Sequence, residues 1–164
     1  SYGGKAGRKV QKECHAQNLV RAFALLLKLP GKRLFQYTDE AGQVRGVSSA
    51  QVNAFLREIA GVRISLKDFR TLMASAAVME SLARVTPAGS ARGRNRQIME
   101  AVKASAGELA NTPAICRKSY VHATIVTAFE DGLLERFSAK LKGCRSQAKR
   151  EQVLVQVMAM AAQG

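Results

Sequence analysis

Apolar residues recur along this chain mostly at the spacing of a helix face. From Asn18 onward, Leu19, Phe23, Leu26 and Leu27 share one face, and the helix they predict must end before Pro30-Gly31. LFQYTDEAGQVRGV then alternates apolar and polar residues around Asp39-Glu40-Ala41-Gly42, which predicts extended segments about a turn. Ser48-Ser49 cap a second helix with Val52, Phe55, Leu56 and Ile59 at i, i+3, i+4, i+7, and Gly61 stops it. Ser65 opens a third, running through Phe69, Leu72, Met73, Ala76 and Leu82, with Phe69 turned toward the core. A loop at 86–90 and a polar segment at 91–96 predict a mobile connection. Further helices are expected from about Gln97 to Ala110, near Thr124–Lys142 and near Ser146–Ala162, with Thr112-Pro113 as a break and Met158 and Met160 as core residues. The opening GGKAGRK suits a tight turn or hairpin tip.

The composition agrees with this mainly α reading. With 164 residues and 47% apolar content, the chain is expected to form one folded unit. Aromatic residues are 5% and tryptophan is absent, which favours helices packed on helices over a β-sandwich. Charge narrows the partner: a net charge of +14 points to a polyanion, with nucleic acid first. No apolar run approaches the roughly 20 residues that span a bilayer, and the N-terminus has no apolar core of a signal peptide. Cys14, Cys116 and Cys144 show neither CxxC spacing nor histidines at zinc intervals, so they read as reduced intracellular thiols with no metal. A cytoplasmic, nucleoid-associated monomer is the expectation.

Two segments carry candidate chemistry. In KDFRT, Lys67 and Arg70 stand three residues apart and share a helical face, so both can meet one phosphate. In NTPAICRKSYVH, Tyr120 follows Arg117-Lys118-Ser119, a pair of cations that is either incidental surface charge or a place where phenolate and phosphate meet. Taken alone, the first segment reads as a solvated helix face and the second as a packed tyrosine, the commoner case for each. Arg92, Arg94 and Arg96 add a third basic run. His15 reads as a surface residue and His122 as a structural neighbour of Tyr120.

GVRISLKDFRTL and ELANTPAICRKSYVH, in that order, resemble the two signature segments of type IB DNA topoisomerases of the poxvirus and bacterial branch. LPGKRLFQYTDEAG and VSSAQVNAFLREIAG look like the segments that precede the first signature, and GGKAG resembles the family's lysine-bearing hairpin. The resemblance implies double-stranded DNA as partner, Tyr120 as nucleophile forming a 3′-phosphotyrosyl link, Arg70 on the non-bridging oxygens, and Lys5 as acid for the departing 5′ oxygen. Asn111 stands where poxvirus enzymes carry histidine, and its amide still donates one hydrogen bond. Lys67, Arg117, Lys118, Arg92, Arg94 and Arg96 are then DNA contacts, and neither ATP nor a metal is required.

The implied layout is a lysine hairpin at 1–15, helices with KDFRT at 16–85, a basic linker at 86–96 and helices with the nucleophile at 97–164. The family's other catalytic arginine lies upstream of the hairpin at which this sequence begins. A catalytic-domain fragment, weak or inactive by itself, is therefore expected. Leu72-Met73-Ala74-Ser75 after KDFRT replaces the family's aromatic and small residues. Two other readings stand beside this one: a tyrosine recombinase, which typically has histidine where Lys67 stands, and a non-catalytic basic helical DNA-binding module.

Overall fold

A computed structural model describes residues 2–3, 9–11, 13, 15–144 and 146–162. Where one folded unit was expected, the chain divides into two compact units, Ser1–Leu66 and Lys67–Gly164. Composition counts apolar residues without saying how they partition.

In the first unit, β1 (Tyr2–Gly3) and β2 (Lys9–Val10) pair antiparallel, Tyr2 opposite Val10, as the N-terminal hairpin expected. Helix α1 (Gln17–Leu26) follows, then β3 (Gln36–Thr38) and β4 (Val44–Gly46), an antiparallel pair with Tyr37 opposite Arg45. Asp39 builds the turn between them. Its Oδ1 accepts the N–H of Ala41 at 3.1 Å and of Gln43 at 2.8 Å, and its Oδ2 takes Arg45 Nε at 2.9 Å. The Arg45 hydrogen bond, then that from Gln43, holds the Asp39 carboxyl below its ordinary value.

Helix α2 (Ser49–Ala60) begins with a reciprocal capping box, Gln51 N–H on Ser48 Oγ at 3.2 Å and Ser48 N–H on Gln51 Oε1 at 2.9 Å, and ends at Gly61. Its register is as predicted but its environment is not. Phe55 is 58% and Ile59 68% exposed, because an amphipathic pattern defines an apolar face without defining what covers it.

Helix α3 (Leu66–Leu82) leads into the second unit, which holds the principal core: Ala74, Ala76, Val78, Met79 and Leu82 of α3 are all buried. Phe69 is not, at 44% exposed, contrary to expectation. Helix α4 (Ala91–Glu108) supplies Ile98, Ala101, Val102 and Ala106, and starts six residues before the expected Gln97. The polar segment 91–96 is thus a capped helix start rather than a mobile connection. Ser90 Oγ accepts Gly93 N–H at 3.1 Å, while Gln97 binds Ala88 N–H and the Thr86 carbonyl, both at 2.9 Å. Periodicity missed this turn because its side chains are polar. Gly93 is required sterically, since a Cβ there would lie 2.7 Å from that of Ala88.

Helices α5 (Pro113–Ser119), α6 (Ala123–Glu130), α7 (Ser138–Leu141) and α8 (Gln147–Ala161) complete the unit. The single helix expected near Thr124–Lys142 is broken. Gly132 takes φ +73, and a 3-10 turn (Leu133–Phe137) separates α6 from α7. Phe129, Leu133, Phe137 and Leu141 keep a four-residue spacing across the break, so the apolar pattern could not reveal it. Helix α8 packs through Val153, Leu154 and Val157, with Met158 against the core, whereas Met160 is 39% exposed and not a core residue.

Candidate active site

The site is built where α4 ends and α5 begins. Helix α4 closes in a Schellman motif: Ala110 N–H bonds the Gly107 carbonyl at 3.1 Å and Asn111 N–H bonds the Ala106 carbonyl at 2.9 Å. Ala110 occupies the left-handed position, φ +53, that glycine usually fills. The reversal leaves the Leu109 carbonyl free to accept from side chains. Arg70 Nη2 of α3 reaches it at 2.8 Å, and Asn111 Nδ2 at 3.3 Å. Two residues that stand 41 positions apart in sequence thus meet on one oxygen.

Thr112 and Pro113 then start α5 with an N-cap, Thr112 Oγ1 accepting Ile115 N–H at 3.3 Å, and a proline at the first helical position. Seven residues later the helix ends on Tyr120, whose N–H bonds the Cys116 carbonyl at 2.9 Å. The short helix therefore carries the phenol back to Arg70. The guanidinium carbon lies 4.9 Å from the centre of the Tyr120 ring, a cation–π contact. Arg70 Nε is buried and has no partner among the described residues, so the guanidinium keeps donor capacity beyond its bond to Leu109.

On the other side of Tyr120, Ser75 of α3 is 2% exposed. Its Oγ donates to the Tyr120 carbonyl at 3.3 Å and accepts His122 N–H at 3.0 Å. His122 caps α6, its Nδ1 accepting Thr124 N–H at 3.3 Å, so it is the structural neighbour that the sequence suggested. Cys116, a residue of α5, is fully buried. Burial pushes its thiol up, against the weaker opposing pulls of a Ser105 hydrogen bond and the Arg70 charge, so the neutral form prevails near pH 7.

The expected site residues separate accordingly. Arg70, Asn111 and Tyr120 come together. Lys67 is exposed on α3, Lys118 is exposed and Arg117 half-buried on the last turn of α5, and Arg92 and Arg96 are exposed on the first turns of α4. Arg94 is engaged locally: Nη1 donates to the Ala88 carbonyl at 3.0 Å and that of Gly89 at 3.2 Å. Lys5 lies outside the described residues. Ser75 and the Leu109 carbonyl were missed. A serine among alanines looks like helix filler, and a carbonyl has no sequence signature at all.

On this strongly basic helical chain, a phenol at a helix end thus lies against a guanidinium that shares the Leu109 carbonyl with an amide. The chain belongs to the family described as eukaryotic DNA topoisomerase I, catalytic core, which it matches over residues 2–151. It is also 31% identical, over 128 residues, to the DNA topoisomerase 1B of Acanthamoeba polyphaga mimivirus. That alignment covers 74% of this chain and 38% of the viral protein, so the chain spans well under half the length of this curated relative.

Among the described residues, no helix is long and apolar enough to cross a membrane, and no group of three or more His, Cys, Asp or Glu is placed to hold a metal ion.

Proposed function

We propose that this chain is catalytic machinery of a type IB DNA topoisomerase, which relaxes supercoiled duplex DNA through a transient break in one strand. The contact between Tyr120 and Arg70, in a chain of this family, is the observation that supports it most directly. The Tyr120 phenolic oxygen attacks a backbone phosphorus and gives up its proton to solvent. The bond from phosphorus to the 5′ oxygen breaks, leaving a 3′-phosphotyrosyl link and a 5′-hydroxyl whose proton comes from Lys5. Arg70 and Asn111 donate hydrogen bonds to the non-bridging oxygens, where charge builds in the transition state. One phosphoester replaces another, so resealing is the reverse reaction and draws on no ATP.

Lys67, Arg117, Lys118, Arg92 and Arg96 hold the duplex backbone, while Arg94 shapes the turn that presents its two neighbours. The protein acts as a monomer in the compartment that holds the DNA. Tyr120→Phe in the full-length protein is expected to abolish plasmid relaxation and covalent trapping on a nicked suicide duplex, with DNA affinity within about twofold of the parent. Covalent trapping that survives the substitution overturns the assignment.

A further inference from the structure

We propose that Ser75 is the positioning residue for the nucleophile: its hydroxyl fixes the backbone on the C-terminal side of Tyr120, where α5 gives way to α6. The inference rests on Tyr120 being the nucleophile. From its N-terminal side, the Tyr120 backbone is tied to α5, since the Cys116 carbonyl accepts the N–H of Tyr120 at 2.9 Å and of Val121 at 3.2 Å. From its C-terminal side, the tie is to Ser75. That hydroxyl spends its donor on the Tyr120 carbonyl and one lone pair on His122 N–H, and so bridges the break between α5 and α6.

Ser75 and Arg70 belong to the same helix, five residues apart, about 7.5 Å along its axis. Helix α3 therefore acts as a rigid rule, with the phosphate-binding guanidinium on one turn and the anchor of the phenol on the next. Attack on phosphorus requires the reacting atoms to be aligned within a fraction of an ångström. A helix that sets both groups supplies that alignment, and Ser75 contributes to it through the protein backbone alone.

The experiment is single-turnover covalent trapping on a nicked suicide duplex by the full-length protein, at saturating protein and well below its melting temperature. Ser75→Ala removes both hydrogen bonds, and Ser75→Cys keeps nearly the same volume while exchanging a good acceptor for a weak one. The rate constant is expected to fall roughly 10- to 100-fold in Ser75→Ala and by less in Ser75→Cys, with DNA affinity unchanged within about twofold. Val157→Ala is the control. It opens a cavity in the core under α8 and removes neither hydrogen bond of Ser75, so it lowers the melting temperature and the trapped fraction without altering the rate constant of the folded molecules.

A Ser75→Ala or Ser75→Cys rate constant equal to that of the parent overturns the inference and leaves the nucleophile assignment intact. A parent that forms no adduct at Tyr120 removes both. If Ser75→Ala does not fold, Ser75→Cys decides by the same criterion.

Discussion

Arg70 works in two ways that the sequence did not distinguish. The guanidinium holds the Leu109 carbonyl at the end of α4, and it also lies over the ring of Tyr120. Its loss therefore removes a donor at the site and a side-chain cap on a helix end. Arg70→Ala is expected to lower the single-turnover cleavage rate roughly 100- to 1,000-fold, and to lower stability by about 1 kcal/mol. Rapid-quench trapping and urea melts measure the two effects separately. A cleavage rate close to that of the parent would leave Arg70 with only its structural bond. At the same scale, the buried Cys116 thiol, raised by desolvation, is no rival to the phenol.

At the scale of elements, the site depends on how helices stop. The left-handed Ala110 turns the chain out of α4 so that Asn111 faces the Leu109 carbonyl, and Thr112-Pro113 restarts it within two residues. An alanine in that conformation carries a local strain of order 1 kcal/mol that glycine does not. Ala110→Gly is expected to stabilise the fold by about 0.5–1 kcal/mol, read from urea melts, with covalent trapping preserved. Destabilisation would mean that the Ala110 methyl group contributes packing that outweighs the strain. The helix starts at Ser48, Ser90, Thr112 and Ser146 are all marked by a side-chain cap, and those at Ser48 and Ser146 lie where the sequence predicted them. The earlier start at Ser90 hid behind arginines, and the break at Gly132 hid behind an apolar spacing that continues through it.

Over the whole molecule, the net charge of +14 gains meaning from where its members are free. Arg92 and Arg96 are exposed at the opening of α4, with Ser90, Gly93 and Asn95 around the same hollow, while Arg94 is tied to the loop carbonyls. Arg92→Ala and Arg96→Ala are each expected to weaken DNA binding evenly across sequences and to flatten the plot of log affinity against log salt by about one unit. Arg94→Ala acts through stability instead, detected as a lower melting temperature with little change in slope. Equal slope changes for all three would put Arg94 on the DNA as well.

Sequence alone determined what covalent chemistry and local geometry determine. The phenol, the guanidinium and the amide are side-chain identities, helix faces follow from a 3.6-residue period, and ordered motifs carried the family. Only the tertiary structure decided which of these groups meet. Arg70 reaches Tyr120 because one helix turns out through a left-handed alanine and the next is short. Ser75 meets the break between α5 and α6 because α3 runs against it, and Phe55 or Phe69 stays exposed because an apolar pattern does not name its partner. Local patterns report single-residue preferences, whereas a site is a set of distances between residues far apart in the chain, and those distances are fixed only by packing.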